Sequence, residues 1–196
     1  MINAPIPKNK SALVVIDMQK CSVPWGTSNP DLVKNTRDMV DFAHANGIPV
    51  IYTKLHMRQD LKDRPICIST MNLSMDSLYP APFAQEGNED AELIPELTPE
   101  ARDFVVIKRR TSAFTGTDLE LYLRTMGITT LLMTGISTEL GVEDTARNGR
   151  NLDFNIVILS DCCATTDPAI QEWTEQHIFP IIGRCMTSAE AQSLME

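Results

Sequence analysis

Two ionisable residues stand at the ends of apolar runs. Asp17 directly follows Ala12–Ile16, and Lys108 directly follows Phe104–Ile107. In open α/β sheets, ligands bind beyond the carboxyl ends of the strands. A carboxylate and an ammonium placed there can share one crevice and hold a defined proton inventory for acid–base work. The third candidate is Gly135-Ile136-Ser137-Thr138-Glu139-Leu140-Gly141-Val142, a strand end turning into a helix. The first N–H groups of a helix suit an oxyanion or a substrate carboxylate, and Gly141 permits close approach of a ligand or another backbone. Each feature also has a purely structural reading. Asp17 can serve as a turn or cap, Lys108-Arg109-Arg110 as a solvated basic turn, and Gly141 as the glycine of a tight corner. Position alone leaves both readings open.

Five short apolar runs could position these groups: Ala12–Ile16, Pro49–Tyr52, Phe104–Ile107, Thr130–Met133 and Asn155–Leu159. They are continuous rather than alternating, the pattern of strands buried on both faces of a parallel sheet. A sixth is expected around Gly183–Met186. Helices are expected between them. One begins at Asn29-Pro30-Asp31 and stops at Gly47, and one opens on a capping box at Thr117-x-x-Glu120 and stops at Gly127. A third runs from Glu139 to Asn148, ending at Gly149, and a fourth starts at Asp167-Pro168 and breaks near Pro180. This alternation predicts an α/β fold: three αβα layers around an open, mainly parallel, six-stranded, Rossmann-like sheet with helices on both faces. One domain over 1–196 is expected, with a long arm at about 54–102 that includes Tyr79-Pro80-Ala81-Pro82. A connection of that length reads as a lid, an interface arm or a surface excursion.

The chain has 17 Lys and Arg against 26 Asp and Glu, a net charge of −9, which argues against nucleic acid and anionic membranes as partners. A small anionic substrate remains compatible, since one local cation can hold a carboxylate. Five cysteines, odd in number and including the adjacent Cys162-Cys163, read as reduced thiols. With no apolar leader and no run of membrane-spanning length, the expected location is cytoplasmic. His44, His56 and His177 lack paired ligand spacing, so no metal and no cofactor is expected.

Ala12-Leu13-Val14-Val15-Ile16-Asp17-Met18-Gln19 resembles the opening strand of the isochorismatase-like (cysteine hydrolase) superfamily. Lys108 to Phe114, followed by Thr115-Gly116-Thr117-Asp118-Leu119, is similar to its K-x-R-x-S-A-F-x-G-T-x-L segment. Gly135 to Ala146 is similar to its G-x-x-T-x-x-C-V-x-x-T-A segment. The three fall in the expected order and span most of the chain. The resemblance implies a hydrolase acting on a small molecule, a homo-oligomer (dimer or larger), and a cis peptide at Ile136–Ser137. It also implies substrate or oxyanion contacts at Ile136, Ser137, Thr138, Leu140, Arg110 and Phe114.

In amide-hydrolysing relatives the resemblance implies an Asp-Lys-Cys triad, but the cysteine position here is Gly141. A residue without a side chain forms no thioester. The same substitution marks the isochorismatase branch, where the aspartate acts as general acid on a vinyl ether and water completes the hydrolysis. The expected catalytic set is therefore Asp17, Lys108 and the Gly141 position, with vinyl-ether hydrolysis as the leading chemistry. Ser137-Thr138-Glu139 stands where that branch carries an aromatic and a histidine, so the substrate is left open. Two alternatives remain: an amide or ureide hydrolase using Cys21 or activated water, and a non-catalytic descendant that binds a ligand or partner.

Overall fold

The computed structural model describes residues 4–65 and 84–196; Tyr79-Pro80-Ala81-Pro82 and Cys67 lie outside them. Six strands form one all-parallel sheet: β1 (Ser11–Ile16), β2 (Val50–Leu55), β3 (Phe104–Lys108), β4 (Thr130–Ile136), β5 (Asn155–Ala164) and β6 (Arg184–Met186). Their order is β3-β2-β1-β4-β5-β6. The strand order reverses between β1 and β4, which makes the carboxyl ends of these two strands the natural crevice.

The helices among the described residues are α1 (Leu32–Ala45), α2 (Leu119–Thr125), α3 (Glu143–Asn151), α4 (Pro168–Trp173), α5 (Phe179–Ile182) and α6 (Ser188–Ser193). One apolar core packs Leu13, Val15 and Tyr52 of the sheet beneath Met39, Val40 and Ala43 of α1 and Ala191 of α6. The other packs Ala12, Val14 and Ile16 against Leu119 and Leu123 of α2, Ala146 of α3 and Phe179 of α5. Alternate residues of β1 thus face opposite layers, as the twofold period of a strand requires, and all six are buried. This is the three-layer α/β fold the runs predict.

Several boundaries differ from the sequence expectation. β3 is an edge strand whose Val105 and Ile107 stay 42% and 39% exposed, so an apolar run there does not mean burial on both faces. α1 starts at Leu32, after the Asn29-Pro30 turn. No capping box opens α2: the Thr117 hydroxyl donates to Ala113 O and accepts from Leu119 N at 3.2 Å. α3 runs through Gly149 to Asn151, and that glycine lets the helix approach Ile156, Phe114 and Leu131, each within 3.3 Å of where a Cβ would stand. β4 and β5 continue beyond their apolar runs to Ile136 and Ala164, which brings Ile136 to the crevice. The expected start at Asp167-Pro168 is found, with the Asp167 carboxylate accepting from Ala169 N at 2.8 Å.

The arm's described parts turn back over the carboxyl edge. Lys20 N donates to Glu92 O at 2.9 Å, Cys21 N to Asp90 O at 2.8 Å, and Ile94 N to Met18 O at 3.0 Å. The segment after Asp17 is thereby fixed by backbone pairing with the arm.

Candidate active site

Asp17 leaves β1 in the left-handed region, φ 49°, a conformation that costs a non-glycine residue about 1–3 kcal/mol and that aspartate tolerates better than most. The surroundings hold it there. Asp17 N donates to Thr53 Oγ1 at 3.2 Å, Thr53 Oγ1 donates to Asp17 Oδ1 at 2.7 Å, and the Ser22 hydroxyl donates to Asp17 O. The other carboxylate oxygen, Oδ2, lies 2.6 Å from Lys108 Nζ. The two side chains are only 11% and 1% exposed. Lys108 also donates to Thr111 O at 2.6 Å, so two of the three ammonium protons have fixed acceptors.

β4 supplies the facing wall. Gly135 has φ 118°, and a Cβ there would stand 2.0 Å from Ile16 O. Only glycine lets β4 pass this close to the end of β1. The Ile136–Ser137 peptide is cis, as the resemblance implied. The chain then enters a π-helical turn, Thr138–Val142, that runs into α3. Within it, Leu140 N and Val142 N both donate to Ser137 O at 3.1 Å; the Leu140 amide is engaged inside the turn. A Cβ on Gly141 would lie 3.4 Å from Asp17 Oδ2, 3.1 Å from Ile136 O and 3.0 Å from Ile16 Cγ2. These distances are tight on all three sides, so a glycine at this position lets the turn pack closely against the end of β1 beside the carboxylate.

These groups open onto a cavity of about 120 Å³, comparable to an engineered void of ~150 Å³ that takes up benzene. Its apolar wall includes Trp25, Leu55, Met57, Pro65, Ile136 and Leu140. Among the described residues, its charged wall has one carboxylate, Asp17, and four cations: Lys108, Arg64, Arg109 and Arg110. The arm contributes Met57, Arg64 and Pro65, and Asp63 ties it down. The Asp63 carboxylate accepts from Arg109 Nε at 2.8 Å and from Arg58 N at 3.0 Å, and its carbonyl accepts from Arg110 Nη1 at 2.8 Å.

Asp17, Lys108, Arg110, Ile136, Ser137, Leu140 and Gly141 all line this cavity. Two expected contacts do not. Thr138 is buried and directs its hydroxyl to Gln171 Oε1 at 2.6 Å. Phe114 is half-buried and packs against Phe154, ring centroids 5.8 Å apart, at the edge of the core beside α3. Glu139 does not reach the cavity either; its Oε1 accepts from Thr165 Oγ1 at 2.9 Å. Cys21 lines the cavity, but burial and then the Asp90 carboxylate push its thiol up to about 12. His56 is buried against Ala91 O at 3.2 Å, outside the lining. Burial first, then the Lys54 ammonium, hold its imidazole below the ordinary range.

Sequence reasoning passed over Thr53, Gln19 and Thr111. Gln19 is buried and bridges β2 to the arm, donating to Leu55 O at 3.0 Å and Ala91 O at 2.5 Å and accepting from Leu55 N at 2.8 Å. The signal was a polar residue sitting where an apolar run has just ended.

The Isochorismatase domain profile matches residues 11–190. The chain belongs to the isochorismatase family. It is 35% identical over 193 residues to the uncharacterized isochorismatase family protein YwoC of Bacillus subtilis, with 92% of each chain covered. It is 31% identical over 179 residues to the ureidoacrylate amidohydrolase RutB of Acinetobacter baylyi, covering 81% of this chain and 72% of that one. An isochorismatase family protein structure from Burkholderia thailandensis superposes with a TM-score of 0.84 at 30% identity, covering 97% of this chain and 98% of that one. Members of this family include hydrolases, and membership supports hydrolase activity for this chain. Among the described residues, no helix is long and apolar enough to cross a membrane.

Proposed function

We propose that this protein hydrolyses a small molecule without a cysteine nucleophile, using Asp17 as the proton-transfer group and Lys108 as its ionic partner. The observation that carries the reading is that the ion-paired Asp17 and Lys108 open onto the cavity beside a residue, Gly141, that has no nucleophilic side chain. In that cavity a water molecule can meet Asp17 and the substrate together. The elevated Cys21 thiol supports the same reading, because a thiol that titrates near 12 holds little thiolate at neutral pH.

In the leading chemistry the substrate is a vinyl ether. Asp17, entering the cycle protonated, delivers its proton to the substrate's terminal vinyl carbon and becomes the carboxylate, and water adds to the resulting oxocarbenium carbon. The hemiketal collapses to a carbonyl compound and an alcohol, and the proton lost by water returns to Asp17. Lys108 balances the carboxylate's charge through this cycle. The positive charge of the cavity wall, from Lys108 and three arginines, suits a substrate that carries a carboxylate. A second reading, amide or ureide hydrolysis by water that Asp17 activates as a base, draws support from the likeness to ureidoacrylate amidohydrolases.

The test is a mass-spectrometric screen of a small-carboxylate metabolite pool for conversion with uptake of water. Wild-type protein converts one component and Asp17→Ala does not. Equal turnover by Asp17→Ala refutes the proposal. Release of an alcohol or of ammonia separates the two chemistries.

A further inference from the structure

The crevice places Lys108 on an edge strand, followed by a turn in which Arg110 is exposed and Thr111 half-buried. Nothing in β3 itself fixes where the ammonium sits. Its second acceptor, the Thr111 carbonyl, lies three residues on, in that turn. Thr111 is in turn held from across the crevice, where its hydroxyl donates to Asp144 Oδ2. Asp144 is the second residue of α3, the helix that begins two residues after Gly141. The next residue of the helix, Thr145, accepts from Ala113 N at 2.9 Å. Two adjacent residues of the first turn of α3 thus grip the turn that follows Lys108. A carboxylate in that first turn is also favoured by the helix dipole.

The geometry points to Asp144 and Thr111 as positioning residues that hold the Lys108 ammonium in place beside Asp17 at the cavity. The role rests on the proton-transfer reading above, but its geometry is independent of any substrate. The chain Asp144–Thr111–Lys108–Asp17 joins the helix that follows Gly141 to the acid on β1. Removing the first link leaves the turn held through Ala113 N alone, and the Thr111 carbonyl loosens as an acceptor for the ammonium.

The experiment reads the ammonium directly. Proton–nitrogen spectra of the lysine side chains give the hydrogen-exchange rate of the Lys108 ammonium, assigned by its disappearance in Lys108→Arg. Asp144→Ala and Thr111→Val are expected to speed that exchange about tenfold, the worth of one hydrogen bond, while Thr111→Ser restores the wild-type rate within about twofold. Thermal unfolding is followed in each variant. Should Asp144→Ala fail to fold, Thr111→Val decides, because valine keeps the shape and removes only the hydroxyl. Folded Thr111→Val with wild-type exchange overturns the proposal and leaves the contact as a stitch between loops. Failure of the proton-transfer reading looks different: Asp17→Ala would keep full turnover while the exchange effects at Lys108 persisted.

Discussion

Replacing Gly141 with cysteine tests the geometry of the crevice without any substrate. The new Cβ would sit 3.0 Å from Ile16 Cγ2, 3.1 Å from Ile136 O and 3.4 Å from Asp17 Oδ2. These are tight contacts, each relieved by a few tenths of an ångström of movement, so the expected cost is that of modest overpacking, about 1–3 kcal/mol. At about 2–4 °C per kcal/mol for a chain of this length, the melting temperature should fall by about 2–12 °C. The reactivity change is larger. At pH 7.5 a thiol titrating near 12, such as Cys21 or Cys185, is thiolate in about one molecule in 30,000, whereas an ordinary thiol near 8.5 is thiolate in about one in ten. The more basic thiolate is intrinsically more nucleophilic by about 40-fold, which leaves the introduced thiol about 100-fold faster towards iodoacetamide. Cys162 and Cys163 are pushed higher still by burial. The assay is intact-protein mass spectrometry of Gly141→Cys during alkylation in a Cys67→Ser background, with peptide mapping of the first adduct. The first adduct is expected at position 141. Alkylation there no faster than at Cys21, in a folded protein, would refute the placement of position 141 in an open crevice beside Asp17 and Lys108.

Other perturbations bear on the same account. Lys108→Met leaves the Asp17 carboxylate buried without its partner and should cost about 3–5 kcal/mol in urea denaturation; adding Asp17→Asn should recover part of it, and a loss under about 1 kcal/mol contradicts the buried pair. The folded protein resists protonating His56, whose imidazole is held below its usual range. Below about pH 6.5 the unfolded chain therefore binds more protons, and stability should fall as pH drops through that value. His56→Gln should flatten this part of the stability profile, and an unchanged slope would assign it to other groups. Gly135→Ala should prevent folding or strongly destabilise the protein, because its Cβ would meet Ile16 O at 2.0 Å; a wild-type melting temperature would contradict the close approach of β4 to β1.

The fold was legible because β1, β2, β4 and β5 are continuous apolar runs, and a parallel sheet covered on both sides demands them. Asp17 and Lys108 were legible as candidates because each immediately follows such a run. Other features depend on tertiary context that local patterns do not carry. β3 reads like a central strand, yet its place at the edge leaves Val105 and Ile107 exposed. Gly149 looks like a helix stop, yet it is spaced for contact with Phe114 and Ile156. Phe114 falls within a motif that lines the crevice, but its ring turns into the core. The wall formed by Arg64, Met57 and Pro65 arises only when the arm folds back and Asp63 clamps it to Arg109. Glu139 faces Thr165 because the π-helical turn rotates it away from the cavity, a rotation no helical periodicity foretells.

The central claim is that Asp17 and water perform the hydrolysis with no covalent intermediate. It is met most directly by quenching the protein in acid during turnover of the compound found by the screen and measuring its intact mass. The account predicts unmodified protein at every time point. A substrate-derived adduct that forms and decays at the turnover rate, mapped to Cys21 or any other side chain, would contradict it.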